Sequence, residues 1–160
     1  MSTDTSLATR SHEENWQPVL ELAVEEVFEI MLGCRVKPVS AADNPPNRDF
    51  TAMVGLAGAL GGIITVCCSA KTASCLAKAM LGAAAESEGE VADALGEICN
   101  MVSGNFKNKL SCADDRCMLS VPTVVSGGQY NVHSMASGDS MSTVVLFEDA
   151  PVTVTLQLNN

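Results

Sequence analysis

The sequence predicts an α/β domain in which helices pack on one side of a mostly antiparallel sheet. Apolar residues recur at helical spacing in three segments, and short apolar, strand-like runs lie between and after these segments. Clusters rich in Gly, Pro and Asn separate successive elements. With 160 residues, 47% of them apolar, the chain suits one domain that folds without a metal or a disulfide.

The three predicted helices are bounded by recognisable end signals. Gly33 and Gly82 stop the first two, because glycine accepts the left-handed conformation that ends a helix. Ser87 and Glu90 form an S-x-x-E capping box before the third. The helices are therefore predicted at 16–32, 71–81 and about 88–110.

The rest of the chain is predicted to be strands and turns. A glycine-rich turn joins two apolar runs into a hairpin, and Glu148-Asp149-Ala150-Pro151 turns the last pair. Residues 1–14 are expected to be a disordered lead-in, with 15–160 as the single domain. The strands are predicted at 34–39, 50–57, 62–68, 117–126, 129–134, 142–147 and 152–158.

The charge excludes several partners. A net charge of −10 cannot neutralise a row of phosphates, so neither nucleic acid nor an anionic membrane surface is an expected partner.

Residues 50–70 carry no charge and are long enough to span a bilayer, which leaves a membrane helix as an alternative. Glycines between Gly58 and Gly62 interrupt its apolar run, however, so a hairpin of two buried strands is preferred.

The cysteines indicate a reducing compartment rather than a metal site. There are seven Cys but only two His, and no C-x-x-C pair occurs, so zinc-binding spacing is absent. Most of the thiols lie among apolar residues, where a reduced cysteine behaves as a small hydrophobe. The first fourteen residues lack an apolar signal segment, so a cytoplasmic location is expected.

The third predicted helix carries an unusual polar stripe. Successive helical residues turn by about 100°, so Asp93, Asn100, Gly104 and Asn108 all fall within about 60° of Glu97. Polar residues on a solvated helix face are ordinary, and that interpretation stays open. Asn is a poor helix former, however, and a mid-helix Gly costs about 1 kcal/mol, so something is expected close to this face. The opposite face is apolar: Val91, Leu95, Ile98, Cys99, Val102 and Phe106.

The D-x3-E-x2-N pattern of Asp93, Glu97 and Asn100 resembles the signature of the CheC/CheX/FliY chemotaxis phosphatases. The surrounding DALGEICNMVSGNFKNKL, the downstream PTVVSG at 122–127 and the AKAMLG that follows the hairpin at 77–82 also resemble that family. One such motif, rather than two, is typical of CheX-like members. The resemblance implies a CheC/CheX-like two-layer domain with an internal pseudo-repeat.

The resemblance implies a phosphatase that hydrolyses the aspartyl phosphate of a CheY-like receiver domain. Asn100 would orient the attacking water, because its carboxamide both accepts and donates hydrogen bonds. Glu97 would contact a lysine of the receiver, with Asp93 and Gly104 in supporting positions. The protein would need no cofactor of its own, since the receiver is expected to hold Mg²⁺. The resemblance also implies a homodimer.

Two further expectations concern function. In the pseudo-repeat, Leu22, Glu26 and Glu29 of the first helix occupy the Asp, Glu and Asn positions. A Glu in place of the amide cannot donate to phosphate and repels it, so this copy is expected to be inactive. The alternative function is a non-catalytic module of the same fold that binds a receiver or a motor component.

Overall fold

The computed structural model describes residues 16–58, 60–110, 117–128 and 130–159. Its helices are α1 (Trp16–Leu32), α2 (Ala70–Leu81) and α3 (Glu88–Lys109). Its strands are β1 (Phe50–Gly58), β2 (Gly62–Cys68), β3 (Cys117–Leu119), β4 (Thr123–Ser126), β5 (Ser140–Phe147) and β6 (Ala150–Leu158). The predicted lead-in at 1–14 lies outside the described residues.

The six strands form one sheet whose pairings are all antiparallel, in the order β3-β1-β2-β6-β5. β4 also pairs with β1, beside β3. Buried residues alternate along the central strands, and α3 packs on β1, β2 and β4. The predicted arrangement of helices packed on an antiparallel sheet is confirmed.

The predicted helix ends are confirmed by their local geometry. Gly33 and Gly82 both have positive φ, at 63° and 76°. Ser87 caps α3, because its Oγ accepts a hydrogen bond from the Glu90 backbone N–H at 3.2 Å. The Glu90 carboxylate accepts a hydrogen bond from the N–H of Glu86 at 2.6 Å, one residue before the Ser87 N–H that a capping box would use.

The uncharged segment after residue 50 is a hairpin. β1 and β2 pair from Phe50↔Cys68 to Leu56↔Gly62, which confirms the predicted turn near Gly58–Gly62 and rules out a membrane helix there. Across the described residues, no helix has both the length and the apolar character needed to cross a bilayer.

The last hairpin turns within two residues, Glu148 and Asp149, which both have positive φ. Two consecutive positive φ values are typical of the type I′ turn, whose twist matches that of the flanking strands. Phe147 pairs with Ala150, so the prediction that residues 150 and 151 belong to the turn is wrong and both lie in β6.

Two strand predictions are wrong. Residues 34–39 contribute a single bridge, Val39 to Val144, because their other backbone groups have no strand beside them. Of the strand predicted at 129–134, residue 129 lies outside the described residues and 130–134 contain no strand. This segment crosses the sheet face away from the helices, where the Tyr130 hydroxyl lies 2.9 Å from Thr51 Oγ1, so its backbone is not aligned with a sheet edge.

The strand predicted at 117–126 is interrupted. Residues 120–122 separate β3 from β4, although both strands pair with β1. Pro122 has no backbone N–H to give to a ladder, which explains why regular pairing stops there.

Candidate functional site

The two faces of α3 differ sharply in polarity, and this difference determines which face is buried. All six apolar residues that were predicted to face inward are buried, and Ala94 and Gly96 join them. Inside the helix, the Ser103 hydroxyl donates to the carbonyl of Cys99 at 2.7 Å, which satisfies a buried polar group. Acidic residues occupy the first turn and Lys107 and Lys109 the last, which complements the helix dipole.

The polar stripe (Asp93, Glu97, Asn100, Gly104 and Asn108) lies on the opposite face. Asp93, Glu97 and Asn108 are exposed, while Asn100 and Gly104 are half-buried. Within the described parts of the chain, neither acidic residue forms an ion pair. Asn100 lies one turn beyond Glu97, about 4.5 Å along the helix axis. The structure therefore places a carboxylate and a carboxamide side by side on an accessible surface.

Gly104 leaves a notch in this surface. Apart from its own helix backbone, a Cβ added at Gly104 would meet no atom of the described residues within 4 Å. The sequence suggested that some element lies close to this face, but the described part of the chain does not supply one. The open space beside Gly104 is available to a partner.

Gly96 is the glycine that permits close packing, and sequence reasoning missed it. A Cβ built there would lie 3.3 Å from Val124 Cγ2 and 3.5 Å from Pro122 Cβ. The start of β4 can therefore approach α3 next to Glu97. The signal available in the sequence was a second mid-helix glycine, eight residues before Gly104.

α1 borders the stripe on its other side. Lys109 Nζ lies 2.7 Å from Glu26 Oε2, which joins the end of α3 to the middle of α1. Hydrogen bonds from Lys109 and Asn105, together with the charge of Lys109, lower the pKa of Glu26 below its ordinary value. On α3, Gly96 and Lys109 project about 100–120° to either side of Glu97, so β4 and α1 flank the stripe.

The first-helix copy has a different environment. Glu29, which occupies the Asn100 position, forms an exposed ion pair with Arg35 at 3.2 Å. Leu22, at the Asp93 position, is an exposed apolar residue. Both carboxylates of this copy, Glu26 and Glu29, are thus in ion pairs, whereas Glu97 has no such partner among the described residues.

Within the described residues, the stripe is the outward, convex face of a helix. A cavity of about 690 Å³ lies between α2 and the start of α3, and another of about 430 Å³ lies on the sheet face away from the helices. No stripe residue lines either cavity. A convex surface suits a macromolecular substrate better than a small molecule, because small ligands are bound mostly in concave sites.

The described cysteines are free thiols, and several are deeply buried. Burial raises the pKa of Cys68 and of Cys99 to about 12. These two thiols stay protonated at neutral pH and are poor nucleophiles. Over the described ranges, no group of three or more His, Cys, Asp or Glu is placed to hold a metal ion.

The family model for chemotaxis phosphatase CheX matches residues 50–146, more than half of the chain. The chain belongs to the CheX family. The match includes the hairpin, α2, α3 with the whole stripe, and the strands through most of β5. Membership confirms the resemblance that the D-x3-E-x2-N pattern and its surroundings indicated.

Solved CheX structures share this fold. A CheX from Vibrio vulnificus superposes with a TM-score of 0.78 at 21% identity, over 91% of this chain and 97% of that chain. One from Desulfovibrio desulfuricans gives 0.77 at 24% identity, over 90% and 99%. A CheX–CheY–BeF₃–Mg²⁺ complex from Borrelia burgdorferi gives 0.75 at 19%, over 91% and 99%. Among curated proteins, none matches the sequence.

Proposed function

We propose that this CheX-family protein hydrolyses the aspartyl phosphate of a CheY-like receiver domain. The observation that carries the proposal is the accessible pair of Glu97 and Asn100 on α3, in a chain whose family is that of the chemotaxis phosphatases. The convex shape of the stripe supports a protein substrate. The Borrelia burgdorferi complex, in which a protein of this fold is bound to CheY with BeF₃ and Mg²⁺, supports a receiver as that substrate.

Asn100 is proposed to orient the attacking water. Hydrolysis of an acyl phosphate is a phosphoryl transfer, which needs an in-line nucleophile and neutralised charge more than covalent catalysis. The carboxamide oxygen can accept a hydrogen bond from the water while the amide N–H donates one to a phosphoryl oxygen. Because Asn100 is half-buried in a rigid helix, its side chain has little freedom to lose on binding.

Glu97 is proposed to anchor the receiver. Its carboxylate is exposed, so it is available to a lysine on the partner. Asp93 adds a second exposed negative charge one turn earlier. Together the two charges would attract basic residues at the rim of the receiver's binding surface. In this scheme the receiver holds the Mg²⁺ near its phosphate, and this protein contributes the side chains of the stripe.

We further propose that the protein acts in the cytoplasm and as a homodimer. The buried, reduced thiols favour a reducing compartment. The homodimer is proposed on family resemblance alone, and sedimentation at micromolar concentration tests it.

The experiment is to follow loss of phosphate from an acyl-phosphorylated receiver of the same genome, with and without the protein. Acceleration by the wild type that is lost in a folded Asn100→Ala variant supports the phosphatase. Binding of the receiver without acceleration would favour the alternative, a non-catalytic receiver-binding module. Neither binding nor acceleration with any receiver would contradict both functions.

A further inference from the structure

A β-bulge separates β3 from β4. Met53 pairs with Thr123 and Leu56 pairs with Leu119, so two residues of β1 face three residues, 120–122, on the other strand. One extra residue on one strand is the defining property of a β-bulge. Bulges change the direction in which side chains point and occur often beside functional sites.

The bulge is held firmly on both sides of Val121. On one side the backbone N–H of Ser120 donates to the carbonyl of Gly55 at 2.9 Å, and the N–H of Gly55 donates to Ser120 Oγ at 2.8 Å. On the other side Pro122 has a fixed φ and packs against α3 at Gly96. Val121 is therefore displayed on a rigid support.

Val121 itself is 84% exposed, although it is an apolar, β-branched residue between two anchored neighbours. Because so little of its side chain is covered, packing within the described chain does not account for its placement. Pro122 contacts α3 at the residue that immediately precedes Glu97. Val121 thus lies at the border of the polar stripe, on the side formed by β4.

We infer that Val121 is a docking residue that sets specificity for the receiver, by packing on an apolar patch beside the receiver's phosphorylated aspartate. This inference rests on the proposed function, because it takes the receiver that binds the stripe to be the protein that also contacts Val121. The contact is continuous with the stripe, and a preorganised side chain loses little conformational entropy when it binds. Burial of one valine corresponds to roughly a tenfold change in affinity.

The test compares Val121→Asp, Val121→Lys and Val121→Ile with Met135→Asp. Met135 is 95% exposed and follows the segment that crosses the sheet face away from the helices, so it is a matched control for an added surface charge. Initial rates are measured against the concentration of phosphorylated receiver. Affinity is measured separately with a receiver held active by BeF₃ and Mg²⁺. Circular dichroism and sedimentation report the folding and the oligomeric state of every variant.

We expect both charged variants at position 121 to raise KM and Kd about tenfold or more while kcat changes less than twofold. Val121→Ile and Met135→Asp should behave as the wild type. Unchanged KM and Kd in folded Val121→Asp would overturn the inference while leaving the proposed function intact. A loss in the Asp variant alone would indicate charge repulsion instead of apolar packing and would overturn it too. A variant whose oligomeric state changes while its KM does not would also overturn the inference. A wild type without phosphatase activity would instead contradict the proposed function.

Discussion

The ammonium group of Lys109 lies 2.7 Å from the carboxylate of Glu26, and this contact joins the last turn of α3 to α1. Glu26 is the residue of the first-helix copy that corresponds to Glu97. The same residue type thus has two environments in one fold. On α1 the carboxylate is half-buried and paired, and on α3 it is exposed and, among the described residues, not in an ion pair.

The first prediction concerns this ion pair. The pKa of Glu26 is lowered in the folded protein, so its stabilising contribution is fully present above the ordinary glutamate value of 4.5 and is lost as pH falls below it. Glu26→Gln should therefore lower the free energy of unfolding at pH 7 and flatten its decline between about pH 5 and pH 3. Urea unfolding across that range checks both effects, and parallel curves for the two proteins would refute them.

The second prediction is the central one for catalysis. Asn100→Ala should reduce receiver-phosphatase activity on the order of 10²-fold, about 2.7 kcal/mol of barrier, because the water loses its orienting group. Ala is the better helix former, so stability should stay level or rise by a few tenths of a kcal/mol. Asn108→Ala gives the same change about 12 Å further along the same face and should retain activity. Full activity in folded Asn100→Ala would eliminate the proposed mechanism.

The third prediction separates the two copies of the motif. Glu97→Ala should raise KM as well as lower turnover, because it removes a contact with the receiver. Glu29→Ala removes an exposed ion pair with Arg35, worth about 0–1 kcal/mol, and should leave phosphatase activity unchanged. Equal losses of activity in the two variants would mean that α1 also takes part. Combining Glu97→Ala with Asn100→Ala measures whether those two residues act together.

The fourth prediction contrasts Gly96 and Gly104, the two glycines in the middle of α3. Gly104→Ala should stabilise the fold by about 0.5–1 kcal/mol, because a Cβ there meets open space. Gly96→Leu should destabilise it by about 1–3 kcal/mol, because Val124 and Pro122 already fill that space. Thermal unfolding checks both variants.

The stabilised Gly104→Ala protein is also expected to bind the receiver more weakly, because its methyl group occupies the notch beside Asn100. Wild-type affinity for a BeF₃-activated receiver would show that the partner does not enter the notch.

The fifth prediction concerns the thiols. Burial raises the pKa of Cys68 and Cys99 to about 12, so neither should react with a thiol reagent at pH 8 until the protein unfolds. Cys34, which is only partly buried, should react in the native state. Mass mapping of the labelled cysteines with and without denaturant distinguishes them, and early labelling of Cys99 would contradict the buried apolar face of α3.

Much of the fold follows from local signals in the sequence. The ends of α1 and α2 depend on glycines that accept positive φ, and the start of α3 depends on the Ser87 cap; both effects act within a few residues. Helical periodicity likewise determined which face of α3 is buried. The polar stripe therefore follows from the sequence as well, because it is simply the other face of the same helix.

Other features were decided by tertiary contacts. Strand-like composition predicted strands at 34–39 and 129–134, but a strand also requires a neighbouring edge with free backbone groups, and the composition of one segment says nothing about its neighbours. The bulge that displays Val121 arises from a one-residue difference in pairing with β1, which is 65 positions away at Gly55. The packing role of Gly96 depends on Val124, and the pairing of Glu26 depends on Lys109. Sequence by itself determined the elements and the polar face, whereas contacts between distant segments decided what borders that face.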